Sequence, residues 1–184
     1  RILMSMGNTE SMTNTLFGIY SRGEPFVNVI STFSSSLTLA LIPAISAHVA
    51  KQEMRAVEHK IKQAWLMTFI IGLPASVGLA ILARPLNIMM YKDDLGTMTL
   101  AVLAFSAIFS TLAVTSSGIL QGLGYNRLPV RHLTICAVVK MIGNFVFIPF
   151  MGISGSALAM VVAYVVVCSL NMWMVKRKAN VRIS

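Results

Sequence analysis

The sequence predicts an all-α, polytopic transmembrane helix bundle of about five spans, and three observations carry that prediction. Of 184 residues, 56% are hydrophobic and only 11% charged, whereas soluble domains carry roughly 25% charged residues. Mean hydropathy is +0.76. The charges that do occur cluster between long uncharged runs, and a helix needs roughly 20 apolar residues to cross a bilayer. Soluble enzyme domains, disordered chains and disulfide-rich secreted folds are excluded on these grounds.

The uncharged runs place the elements, within a single transmembrane domain over 1–184. The first span covers about 14–48 and is uncharged from Pro25 to Ala50. The second runs over about 65–83 and the third over about 97–122. From His132 to Val175 only Lys140 is charged, a run too long for one helix. Pro149 and Gly152 offer the cut, giving spans at about 128–150 and 153–175. Pro43 and Pro74 each remove a backbone donor and predict kinks in their helices. Between the first two spans, Met54, Val57 and Ile61 recur at helical spacing and Glu58 precedes Lys62 by four. That pattern predicts an amphipathic helix over 51–63 lying in the membrane interface, with Trp65 as a headgroup-level anchor.

Charge placement predicts orientation. Lys51, Arg55, Lys60, Lys62, Arg127, Arg131, Lys176, Arg177, Lys178 and Arg182 fall on one side, ten in all; Arg1, Arg22, Arg84 and Lys92 fall on the other, four in all. Positive residues accumulate in cytoplasmic loops, so the 51–63 segment and the C-terminus are expected in the cytoplasm. The net charge of +9 is therefore topogenic. Nucleic acid is not an expected partner, because a basic recognition patch needs a solvated face; membrane lipids are. Cys136 and Cys168 lie inside apolar runs without metal-ligand spacing and read as small buried residues. The chain opens on Arg1 and reads as a piece of a longer protein.

Ionisable residues inside a membrane are costly and mark candidate sites. Arg22 and Glu24 flank Gly23 beside Pro25, and a pair between them near the outer interface is the plain structural reading. Asn28 and the Ser31–Ser36 stretch add polar groups. Lys140 lies deep in the fourth span, with Asn144 one turn on and on the same face. Such depth argues against snorkelling and for a polar interior or water-filled cavity. Asp93 and Asp94 read as a solvated turn. No nucleophile–base pair, paired intramembrane carboxylates, P-loop or metal motif is present, so the chain is not expected to be an enzyme, and no cofactor or metal is implied. Gly118–Gly122 forms a GxxxG, and Gly152, Ser154, Gly155, Ser156, Ala157 and Ala159 form a small-residue face, both helix-packing signals.

Gly18-Ile-Tyr-Ser-Arg-Gly-Glu-Pro25, Ser36-Leu-Thr-Leu-Ala-Leu-Ile-Pro-Ala-Ile-Ser46, Gly72-Leu-Pro-Ala-Ser-Val-Gly-Leu-Ala-Ile-Leu-Ala83, Gln121-Gly-Leu-Gly-Tyr-Asn-Arg-Leu-Pro129 and Val139-Lys-Met-Ile-Gly-Asn144 resemble the polysaccharide flippases of the multidrug/oligosaccharidyl-lipid/polysaccharide (MOP) exporter superfamily. The stage V sporulation protein B-like and lipid II flippase branches are the most similar. The resemblance implies most of the C-terminal lobe of a two-lobe, MATE-like transporter, the eighth to twelfth spans, with the N-terminal lobe of the same protein as a partner. It implies a bacterial cytoplasmic (inner) membrane location and translocation of lipid II or another lipid-linked oligosaccharide for cell-wall or polysaccharide assembly. Arg22, Glu24, Asn28, Lys140 and Asn144 are then the expected substrate-binding residues, with the two cations meeting a diphosphate. Ser21 and Glu24 depart from the family, which often has Asp and a neutral residue there. A multidrug cation antiporter of the same superfamily and a truncated, non-transporting remnant are the alternatives.

Overall fold

A computed structural model describes residues 10–179, which form seven helices: α1 (Glu10–Ser21), α2 (Glu24–Ala50), α3 (Met54–Ile81), α4 (Ala83–Tyr91), α5 (Thr97–Gly122), α6 (Arg127–Met151) and α7 (Ile153–Ala179). Five segments are long and apolar enough to cross a membrane, α1 and α2 counting together as one. Arg1 and Arg182 of the charge count lie outside the described residues.

Helix α5 is the axis. Helices α2, α3 and α7 all pack on it, α6 packs chiefly on α7, and the backbones of α2 and α7 do not approach each other closely. Two small-residue seams set the closest approaches. A Cβ on Gly118 would overlap the Thr38 methyl, and one on Gly122 would stand 2.9 Å from Ile45 Cβ, so the predicted GxxxG is the α2–α5 contact. A Cβ on Gly155 would collide with the Phe147 carbonyl, and one on Gly143 would lie 2.9 Å from Ala159 Cβ, which joins α6 to α7. Gly152 makes the turn between them at φ +59°, where glycine carries no Cβ penalty.

Alternation brings the C-terminal ends of α2, α5 and α7 and the N-terminal ends of α3 and α6 to one face. Ile45, Val57, Ile61, Trp65, Ile119, Leu120 and Val175 form its buried cluster. Helix α3 runs unbroken from Met54 to Ile81, and Val57 and Ile61 are fully buried against protein. The amphipathic pattern over 51–63 is thus the first turns of α3, with its apolar stripe facing neighbouring helices. Trp65 is likewise buried, donating from Nε1 to Ser116 Oγ at 3.0 Å. Glu58 does pair with Lys62, at 3.0 Å. Pro43 and Pro74 lie within helices that continue through them.

At the opposite face the first span divides at Arg22–Gly23, and α4 is an element that run length alone does not separate from a loop. Its signal is Pro85 in a first turn, where a missing N–H costs nothing. Asn87, one turn in from Ala83, is buried with it.

Candidate functional site

Because α2 and α7 both lean on α5 while their backbones stay apart, a cleft opens between them, with α6 as part of its wall. Its larger part encloses about 450 Å³, lined by Ser35, Thr38, Ser110, Ser117, Gln121, Leu133 and Tyr164 among others. A smaller chamber of about 160 Å³ adjoins it at Tyr164, lined by Glu24, Asn28, Ser31, Ser106 and Tyr164. Two polar stripes make this lining. On α2, Glu24, Asn28, Ser31, Ser35 and Thr38 recur at four- and three-residue steps, one face of a helix. On α5, Ser106, Ser110, Ser117 and Gln121 follow at steps of four, seven and four, the same face two turns apart in the middle. Ser31 and Ser110 meet across the cleft floor at 2.7 Å. A search for charges inside spans misses the α5 stripe; hydroxyls at helical spacing inside an apolar run are its signal.

The break at Gly23 sets the outer end. Gly23 N–H donates to the Tyr20 carbonyl at 3.1 Å, and Pro25 begins α2, where its missing N–H is harmless. A Cβ on Gly23 would stand 2.7 Å from Leu103 Cδ1, so the break packs directly on α5.

The structure separates the two expected cations. Arg22 does not pair with Glu24. Its Nη1 donates to both Asp93 oxygens at 2.8 and 3.0 Å, its guanidinium lies 4.5 Å from the Tyr91 ring centroid, and the Tyr91 hydroxyl donates to the Arg22 carbonyl at 3.4 Å. Asp93 is therefore no solvated turn residue but half of a clamp between the α1–α2 break and the α4–α5 loop. Local sequence spacing favours Glu24; the fold brings a residue from a distant loop closer. Glu24 is left exposed in the small chamber beside Asn28, the one carboxylate among the described residues that line the cleft.

Lys140 and Asn144 lie on α6, half-buried. They continue the stripe of Pro129, Leu133 and Cys136, of which Pro129 and Leu133 line the cleft and Cys136 packs toward Ala113, Val167 and Cys168. Helical register thus turns both toward the interior side of α6. The Asn144 Oδ1 is buried with no hydrogen-bond partner among the described residues. Of the expected site residues, Glu24 and Asn28 line the small chamber, Lys140 and Asn144 are not among the residues that line either part of the cleft, and Arg22 stands at the clamp. Both cysteines are free. No cluster of three potential metal ligands occurs among the described residues.

Below the cleft a buried network ties three helices. Asn171 Nδ2 donates to the Ala113 carbonyl at 3.1 Å and to Ser117 Oγ at 2.9 Å. Its Oδ1 is therefore the acceptor, and His132 Nδ1 carries the hydrogen of the 2.6 Å bond between them.

Residues 29–184 match the family described as lipid II flippase MurJ. Among curated relatives, the chain is 34% identical to an uncharacterized membrane protein, YabM, of Bacillus subtilis, over 96% of this chain and 33% of that one. It is 26% identical to the lipid II flippase MurJ of the same organism, over 85% of this chain and 30% of the relative, and 29% identical to its stage V sporulation protein B, over 77% and 28%. The chain thus spans about a third of the length of these relatives. A solved structure described as the inward-facing conformation of a multidrug resistance MATE family transporter of the MOP superfamily superimposes with TM-score 0.75 at 17% identity, covering 88% of this chain and 41% of that one. The bundle therefore has the MATE-like fold.

Proposed function

We propose that this chain, which belongs to the lipid II flippase MurJ family, supplies one lobe of a flippase that moves an isoprenoid-diphosphate-linked sugar across the bacterial cytoplasmic membrane. The observation that carries this reading is the cleft between α2 and α7, whose largely apolar wall carries two stripes of hydroxyl and amide side chains. Membrane interiors hold such groups only where they face protein or water. A cleft of about 450 Å³ is at the scale of a small-molecule site and too small for a complete lipid-linked oligosaccharide. A second lobe would close the other half, and rocking of the two lobes would expose the cargo alternately to each side. Lys140 is the cation available to the diphosphate. Arg22 reaches it only by leaving Asp93, which makes the clamp a gate contact in this reading. The basic face is cytoplasmic.

The test uses the complete protein containing this chain, in a bacterial strain depleted of its own lipid II flippase. Lys140→Arg retains most translocation. Lys140→Gln loses at least about tenfold, the effect of one charge-assisted hydrogen bond, and Lys140→Glu loses all of it. Normal complementation by a well-expressed Lys140→Glu protein overturns the assignment. Labelling of Glu53→Cys by an impermeant thiol reagent from outside overturns the orientation. Glu24, a carboxylate in the cleft with no ion pair among the described residues, favours one second reading, a coupled or transported cation. Its signature is transport that survives Lys140→Glu and fails in Glu24→Gln.

A further inference from the structure

The basic face carries a second cavity that the cleft does not explain. About 400 Å³ lies between the end of α5, the start of α6 and the last turn of α7, lined by Gly124, Tyr125, Asn126, Arg127, Leu128 and Lys178. Lys178 Nζ stands 4.8 Å from the Tyr125 ring centroid. Helix α6 begins here without a side-chain cap, so its first-turn N–H groups add partial positive charge. Among the described residues no acid lines the pocket. On this face Glu53 is held by His48 at 2.7 Å and Glu58 by Lys62 at 3.0 Å, which leaves Arg127 and Lys178 without an acidic partner among the described residues.

One turn along α6, Arg131 opens a groove of about 400 Å³ that continues over Thr134, Ile135, Val138 and Val139. Arg127, Arg131, Ile135 and Val138 recur at four- and three-residue steps, so pocket and groove share one face. Arg127 and Arg131 are each two residues from Pro129 or Leu133 of the cleft wall, roughly 200° around a helix. The groove therefore lies on the far side of α6 from the cleft. Ile135 and Val138 are exposed there, and the Thr134 hydroxyl is already bonded to the Val130 carbonyl.

We propose that this pocket and groove hold an anionic glycerophospholipid, its phosphate between Arg127, Arg131 and Lys178 and an acyl chain over Ile135, Val138 and Val139. Charge complementarity selects the headgroup, because basic pockets between helix ends collect anionic lipid. The apolar continuation selects a chain-bearing anion over free phosphate. Position on the outer side of α6 makes this a resident lipid and not the cargo. The inference does not depend on the flippase reading.

The full chain, delipidated in detergent, is titrated with phosphatidylglycerol and with phosphatidylcholine of the same acyl chains, and bound lipid is counted by native mass spectrometry. Phosphatidylglycerol binds more tightly by about tenfold, and Arg127→Gln and Lys178→Gln each weaken it about fivefold, the effect expected of one basic residue at an anionic surface. Phosphatidylcholine binding stays unchanged in both, and Lys178→Arg restores the preference. All substitutions are at exposed residues, and unchanged monodisperse elution verifies folding. Equal affinity for the two lipids, or indifference to both Gln variants, overturns the proposal. Displacement by millimolar inorganic phosphate makes the site a bare anion site and also overturns it. Displacement by a polyprenyl diphosphate assigns the site to cargo, and a resident lipid is then equally excluded.

Discussion

Helices α5 and α6 are nearly equally apolar, yet half of the apolar stretch of α5 is buried in the protein and only 6% of that of α6. The difference lies in side-chain size and hydroxyl content. Helix α5 carries Ser106, Ser110, Thr111, Thr115, Ser116 and Gly118, nearly all buried. Helix α6 carries Met141, Ile142, Phe145 and Phe150, all exposed. In lipid no hydrophobic force distinguishes a neighbouring helix from an acyl chain. Close packing and hydrogen bonding decide the centre, and bulky apolar residues go to the rim.

That contrast breaks most severely at Gly118. Gly118→Leu must push α2 off α5 at Thr38, and destabilisation of about 3 kcal/mol or more is expected, read as loss of the folded fraction in denaturant titration of the purified chain. A variant as stable as the parent would mean the seam is not the α2–α5 contact. Asn171→Leu comes next. It strands the His132 Nδ1 hydrogen and removes the bonds to the Ala113 carbonyl and the Ser117 hydroxyl, at a cost of about 2 kcal/mol by the same titration, and His132→Leu in the same chain should recover part of it. Recovery by the double variant distinguishes a lost bond from a packing defect.

Asp93→Asn probes the outer clamp instead of the centre. The pair is about one-third exposed on the Asp93 side, so only about 1 kcal/mol of stability is expected to go. In the complete protein the same change frees Arg22, and altered translocation without loss of expression would mark the clamp as a gate. Smallest is Phe145→Leu on the rim of α6, with a change below about 0.5 kcal/mol in thermal unfolding. A large effect there would place Phe145 against protein and undo the comparison.

Much of this fold is legible in the residues. The five spans, the Pro149–Gly152 cut and the GxxxG seam follow from run length, turn residues and small-residue spacing, all of which act locally. Two contacts are not legible in local spacing, for a common reason. Val57 and Ile61 form an apolar stripe whether its partner is lipid or protein, and periodicity cannot say which. Arg22 has Glu24 two residues away and Asp93 in a distant loop, and nothing in the local spacing reveals that α4 folds the loop back onto the break. Of the candidate site, Glu24, Asn28 and Ser31 are visible as polar residues on a span. Tyr164 and the α5 hydroxyls are not, because each alone is an ordinary residue in an apolar helix.

The sequence by itself determined that this chain crosses a membrane as helices, how many such spans it has, and which face carries positive charge. These depend on transfer of single segments from water to hydrocarbon and on charge counted loop by loop, both additive along the chain. Tertiary structure alone decided that α5 is central, that the backbones of α2 and α7 stay apart above it, and that Arg22 closes on Asp93. Those depend on which surfaces fit at atomic distance and on which buried polar groups find partners, and neither is additive in sequence.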